Sequence, residues 1–288
     1  MQVVHEQSQH DAAYYERQYN IRPSIPDAAE YDARAQRLSN EARLLLPCTL
    51  DVPYGSSPRE RLDIFPGRGR DPHPLLVFIH GGYWRARDKS EFSFVAAPFV
   101  ASGVTVALPD YDLAPDVTVE KIVQQMLAAL AWLFRNAREH AIDRRRIYVA
   151  GHSAGAHLAA MMLAALWREY GSDLPSDLVK GGYVVSGIYD LAPLLQVSLN
   201  SDLRLDNGSA RKVSPLTYRP EHPVALYTAV GAVETDEFKR QCHELRHAWA
   251  HCHKGHVEPH SCHHLSMLEA IGNKRHPLFQ SMLRMVNA

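Results

Sequence analysis

The 288-residue sequence is poor in several things, and each shortage narrows what the chain can be. It has four cysteines, Cys48 apart from Cys242, Cys252 and Cys262. A chain of this length without a secretory leader gives little reason for a disulfide framework, so reduced thiols are expected. It has no excess of either charge: 31 Lys and Arg against 32 Asp and Glu leave a formal net charge of −1. No global field therefore draws it to nucleic acid or an anionic membrane, and the expected partner is a small neutral or singly charged molecule. No apolar run approaches the ~20 residues that span a bilayer, and Met1 to His10 hold neither the basic nor the apolar part of a leader. The expectation is a cytoplasmic protein with no membrane partner, with a homodimer as the working assembly. Repeats and low-complexity linkers are absent too. What is present is a 46% hydrophobic composition, enough for one core, so residues 1–288 are read as a single domain.

The first 46 residues mix charge with Tyr14, Tyr15, Tyr19 and Tyr31 and read as a partly helical arm packed on that core, without chemistry of its own. Leu50 to Tyr54 and Leu62 to Phe65 are β-type runs separated by the turn-rich Gly55-Ser56-Ser57-Pro58, which predicts an antiparallel pair. Beyond them, Leu75 to Ile79, Val104 to Leu108, Ile147 to Ala150, Tyr183 to Val185 and Val224 to Val230 are short, nearly unbroken apolar runs, as strands buried on both faces require. Between them, Val119 to Asn136 places Ile122, Met126, Leu127, Leu130 and Leu133 on one helical face, and Ala154 to Tyr170 is dense in helix formers. This alternation predicts an α/β fold with a mostly parallel, doubly wound sheet and helices on both faces. Residues 190–220 break the rhythm and read as a cap over the carboxyl edge of the sheet.

Chemistry enters at Gly151-His152-Ser153-Ala154-Gly155. This G-x-S-x-G pattern leaves one predicted strand and opens a predicted helix, the context that exposes a serine hydroxyl above a sheet. The helix N-terminus favours negative charge developing there. Ser153 is the candidate nucleophile. A second loop, His80-Gly81-Gly82-Tyr83-Trp84, leaves another core strand, where backbone N–H groups can face a scissile carbonyl. The oxyanion hole is expected from Ala154, Gly82 and either Gly81 or Tyr83, each donor contributing about 3 kcal/mol. The acid belongs after the strand ending at Val230, where Glu234, Asp236 and Glu237 lie close together. Glu234 follows the glycine turn and is the expected choice, while Asp236 and Glu237 suit the first turn of the next helix. Chain order then puts the histidine downstream, on a loop before the C-terminal helix, which selects His263 or His264. The other histidines there, His243, His247, His251, His253, His256 and His260, are read as surface residues.

With these pieces in place, the chain resembles the kynurenine formamidase (arylformamidase) branch of the α/β-hydrolases, neighbours of the hormone-sensitive-lipase-like esterases. His80-Gly81-Gly82-Tyr83-Trp84 is similar to that branch's HGGxW motif, Gly151 to Gly155 to its nucleophile turn, and Tyr111-Asp112-Leu113-Ala114-Pro115 to a YxLAP segment of the neighbouring esterases. Gly231-x-x-Glu234-x-x-Glu237-Phe238 resembles its acid loop, with Glu where many members carry Asp. His264-Leu265 resembles the DHF-like segment, with His263 in place of the Asp. The resemblance implies a Ser153–His264–Glu234 triad, no cofactor, and hydrolysis of N-formyl-L-kynurenine. Carboxylester hydrolysis by the same machinery is the alternative. Tyr83, Trp84, Phe92 and Phe94 are candidates for an aryl pocket or for the core.

A different chemistry is spelled by His243-Glu244-Leu245-Arg246-His247. This is H-E-x-x-H, with His253 at the spacing of a third zinc ligand and Glu244 as base. Ala250 stands where the extended pattern needs a glycine, and a His-rich stretch produces such matches by chance, so no metal site is expected.

Overall fold

A computed structural model describes residues 10–69 and 72–288. The reading of the leader region and the first nine residues of the arm lie outside them. The strands are β1 Thr49–Pro53, β2 Arg61–Phe65, β3 His73–Ile79, β4 Thr105–Pro109, β5 Ile142–His152, β6 Gly181–Val185, β7 Ala225–Ala229 and β8 His253–Val257. They form one sheet in the order β1-β2-β4-β3-β5-β6-β7-β8. β2 runs antiparallel to β1, as the turn at Gly55 predicts, and also to β4, and every pairing from β4 to β8 is parallel.

The helices are α1 Ala12–Tyr19, α2 Ala28–Leu45, α3 Ala96–Val100, α4 Val119–Arg135, α5 Ala154–Leu163, α6 Trp167–Tyr170, α7 Asn200–Leu203, α8 Asn207–Lys212, α9 Asp236–Ala248, α10 Ser266–Gly272 and α11 Pro277–Asn287. They cover both faces, and the pleat explains how. Leu75, Val77 and Ile79 of β3 point into one core with the apolar faces of α4, α5 and α9; Leu76 and Phe78 point into another with α3, α10 and α11. This is the α/β-hydrolase fold.

Two elements depart from the sequence reading. The helix expected over Ala154 to Tyr170 ends at Leu163, and a separate turn begins at Trp167. No breaker residue stands between; the second turn buries the Trp167 ring, and that burial outweighs helix propensity. β8 was not foreseen, because its His-Lys-Gly-His-Val sequence has no apolar run. As an edge strand with half-exposed residues it needs none. Its His253 and His256 are therefore half-buried rather than fully exposed, and both share hydrogen bonds with the Thr228 hydroxyl on β7.

Candidate active site

Parallel strands deliver their following loops to one edge of the sheet, the usual place for a site in such folds. After β5, Ser153 sits on a strained turn with φ 58° and ψ −124°, and the chain enters α5 at once. The turn closes only because Gly155 lets α5 approach β3: a Cβ there would lie 2.0 Å from the Ile79 carbonyl oxygen. Ala154 opens the helix, so its N–H has no intrahelical partner.

After β3, Gly81 abuts this turn, an added Cβ meeting that of Ser153 at 3.1 Å. Gly82, Tyr83 and Trp84 all have positive φ, and the Gly82 carbonyl accepts from the N–H groups of Arg85 and Ala86. Both ring nitrogens of His80 face acceptors, the Gly81 carbonyl at 2.8 Å and the Asp110 carboxylate at 3.0 Å, while Tyr111 stacks on the ring. The Tyr83 hydroxyl donates to the Tyr19 carbonyl of the arm. Loss of water, with the charges of Glu234 and Glu16, pushes that phenol far above its ordinary pKa, so it remains a donor.

After β7, Glu234 has a buried carboxylate: Oε1 accepts from Gly231 N–H at 2.7 Å and from the Ser186 hydroxyl at 2.5 Å, and Oε2 lies 2.7 Å from His264 Nδ1. His264 is itself buried, packs on the Phe238 ring, and offers its carbonyl to His152 Nε2 at 2.9 Å. Burial holds the His152 pKa well below its ordinary value, so its ring is neutral and donates through Nε2.

The other candidates meet different partners. His263 Nδ1 accepts from the N–H groups of Leu265 and Ser266 at the start of α10, whereas the Glu234 contact is made by His264. Asp236 is exposed and paired with Lys239; Glu237 holds the Tyr19 hydroxyl and Arg240. Ser153, His264, Gly81, Gly82 and Tyr83 line one cavity of about 800 Å³. Phe92 and Phe94 line it too, but Trp84 does not: it is fully buried and donates to His157 Nδ1 at 3.2 Å.

Sequence reasoning missed Ser186, although its place directly after a core strand could have flagged it. It also missed the arm, which supplies much of the cavity wall through Asn20 to Arg22 and through α2, whereas the expected cap, residues 190–220, contributes Leu199. The H-E-x-x-H segment does not gather a zinc site. His243 and His247 line a small surface hollow with His253, but Arg246 shares it and Glu244 is paired with Arg240. Among the described residues no group of three or more His, Cys, Asp or Glu side chains could hold a metal ion. Nor is any helix among them long and apolar enough to cross a membrane. All four cysteines are free.

A serine on a strained turn, sharing its cavity with a carboxylate-held imidazole at the carboxyl edge of a parallel sheet, is what the α/β-hydrolase enzymes build, and the comparisons agree. The family model described as BD-FAE matches residues 62–185. An esterase from Pyrobaculum calidifontis superposes with a TM-score of 0.71 at 17% identity, over 96% of this chain and 93% of its own, which bears on the fold alone. A solved chain from Silicibacter, provisionally named a thioesterase, gives a TM-score of 0.82 at 31% identity over 96% and 98%. The kynurenine formamidase of Danio rerio is 30% identical over 95% of this chain and 94% of its own, and that of Salmo salar 34% over 78% and 76%. The chain belongs to the kynurenine formamidase family of α/β-hydrolases.

Proposed function

We propose that the protein is an arylformamidase that cleaves N-formyl-L-kynurenine to formate and kynurenine through Ser153, His264 and Glu234. The observation that carries the chemistry is the buried 2.7 Å contact between Glu234 Oε2 and His264 Nδ1, with His264 lining the same cavity as Ser153. It fixes the tautomer in which Nδ1 bears hydrogen and leaves Nε2 as the base. The substrate rests on the formamidases to which the chain is related over most of its length.

In the first half-reaction His264 Nε2 takes the proton of the Ser153 hydroxyl as its oxygen bonds to the formyl carbon. The carbonyl oxygen becomes an oxyanion, held by N–H groups of Ala154 and Gly82 with Gly81 or Tyr83 in support. The C–N bond then breaks, His264 returns the proton to the departing aryl amine, and a formyl ester remains on Ser153. Water, deprotonated by His264, attacks that ester; as its C–Oγ bond breaks, His264 returns the proton to Ser153 and formate is released. No step calls for a cofactor.

The test is steady-state turnover of N-formyl-L-kynurenine and of p-nitrophenyl acetate by the EDTA-treated protein, with Ser153→Ala beside it. Formamide turnover at ~10⁴ M⁻¹s⁻¹ or better, lost by at least ~10³-fold in the variant, is the expected result. Turnover of the ester alone assigns the same machinery to a carboxylesterase. Activity that survives in Ser153→Ala, or disappears on chelation, overturns the serine mechanism.

A further inference from the structure

Apart from the Arg34–Glu269 pair, the cavity wall carries a connected ionic row that the bond-breaking chemistry leaves unused. It begins beside the oxyanion turn, where a Cβ on Gly82 would lie 2.8 Å from Arg87 Cγ. Arg87 Nη2 contacts Asp32 Oδ1 at 2.6 Å, Asp32 Oδ2 contacts Arg22 Nη2 at 2.6 Å, and Arg87 Nη1 contacts Glu91 Oε2 at 2.7 Å. All four residues line the cavity that holds Ser153. Burial alone would raise the Asp32 pKa, but hydrogen bonds from the two guanidinium groups hold it below the usual carboxylate range, so it stays ionised. Two arginines and two carboxylates cancel, so the row attracts neither a simple anion nor a simple cation strongly. A group with both charges close together matches it. Arg22, with half its side chain exposed, has one contact in the row and two further guanidinium nitrogens to offer.

We propose that Arg22 and Asp32, backed by Arg87, form a subsite for the zwitterionic α-amino-acid head group of the substrate, Arg22 taking the carboxylate and Asp32 the ammonium. The subsite rests on the formamide reading above and adds to it: the arm supplies specificity for an amino-acid substrate, while the sheet edge supplies bond cleavage. A planar guanidinium suits a carboxylate because it can present two parallel N–H donors.

The experiment measures competitive inhibition of p-nitrophenyl acetate hydrolysis by L-kynurenine and by kynuramine, which lacks the carboxylate. The ratio of the two inhibition constants within one protein cancels any general change in activity. In the wild type L-kynurenine should bind about tenfold more tightly than kynuramine, and in Arg22→Gln the ratio should fall to about one. Arg22→Lys, which keeps the charge but loses the fork, should fall between. A wild-type ratio near one, no inhibition by L-kynurenine, or a ratio unchanged in Arg22→Gln overturns the subsite. The formamide reading fails by a separate result, absence of N-formyl-L-kynurenine turnover, because this assay needs only the ester.

Discussion

The cavity has two walls of different construction. The rear wall is the carboxyl edge of the sheet, with Ser153, the Gly81-Gly82 turn, Glu234 and His264 set by strands and held by buried hydrogen bonds. The front wall is the arm, whose Arg22, Asp32 and Arg34 reach the cavity through partly exposed ion pairs, including Arg34 with Glu269. Buried hydrogen bonds keep their strength in salt, whereas exposed pairs contribute about 0 to 1 kcal/mol each and are screened. Precision is therefore concentrated in the rear wall, and adaptability in the front one.

The sharpest test of the rear wall is Glu234→Gln. Its size is kept, but the anion facing His264 Nδ1 is lost and the tautomer is no longer imposed. The expected outcome is a kcat about 10³-fold lower or worse on either substrate, with the thermal midpoint showing a folded protein. A loss below tenfold would mean that another group orients His264. Asp236 and Glu237 are poor substitutes, since one is exposed and the other occupied by Tyr19 and Arg240.

The two walls also differ in how far they can be read from sequence. Ser153, Gly81, Gly82 and Glu234 follow apolar runs that announce buried strands, and tight turns of small residues announce the loops. The front wall has no such marker. Arg22 and Asp32 are charged residues in a charged, helical arm, and only the chain's return over the sheet edge gives them a cavity to line. Between these extremes lies His264, which the residues alone could not separate from His263: His263 accepts backbone N–H groups before α10, and His264 meets Glu234. Trp84 marks another boundary. It was a candidate for both pocket and core, and only packing shows that it anchors the Gly81-Gly82 turn to α5.

That anchor makes the rear wall sensitive to acid. His157 is fully buried, its Nδ1 accepting from Trp84 and its Nε2–H donating to the Val213 carbonyl at 2.6 Å, and burial lowers its pKa from 6.5 to about 4. The folded state thus binds fewer protons than the unfolded chain between those values. The stabilisation is complete above pH 6.5, is lost as pH falls through about 4, and is worth up to about 3 kcal/mol. Urea unfolding across that range should show stability falling with pH, and His157→Asn should take up about one proton fewer on unfolding. An unchanged pH slope in the variant would remove His157 as a cause.

The smallest effect tests whether the walls are coupled. Tyr83 follows the Gly81-Gly82 turn, yet its hydroxyl donates to the Tyr19 carbonyl, and the Tyr19 hydroxyl in turn donates to Glu237 on the helix that follows Glu234. The arm thus touches both loops of the rear wall at one residue. Tyr83→Phe removes only the link to the turn, a bond of about 1 kcal/mol. If the link steadies the turn for the oxyanion, kcat for p-nitrophenyl acetate should fall about fivefold while KM hardly moves, since the loss is felt where charge develops. A change in KM alone would make the arm a cover over the substrate and leave the walls independent. A loss approaching that of Glu234→Gln would erase the division, because the arm would then belong to the machinery behind the bond.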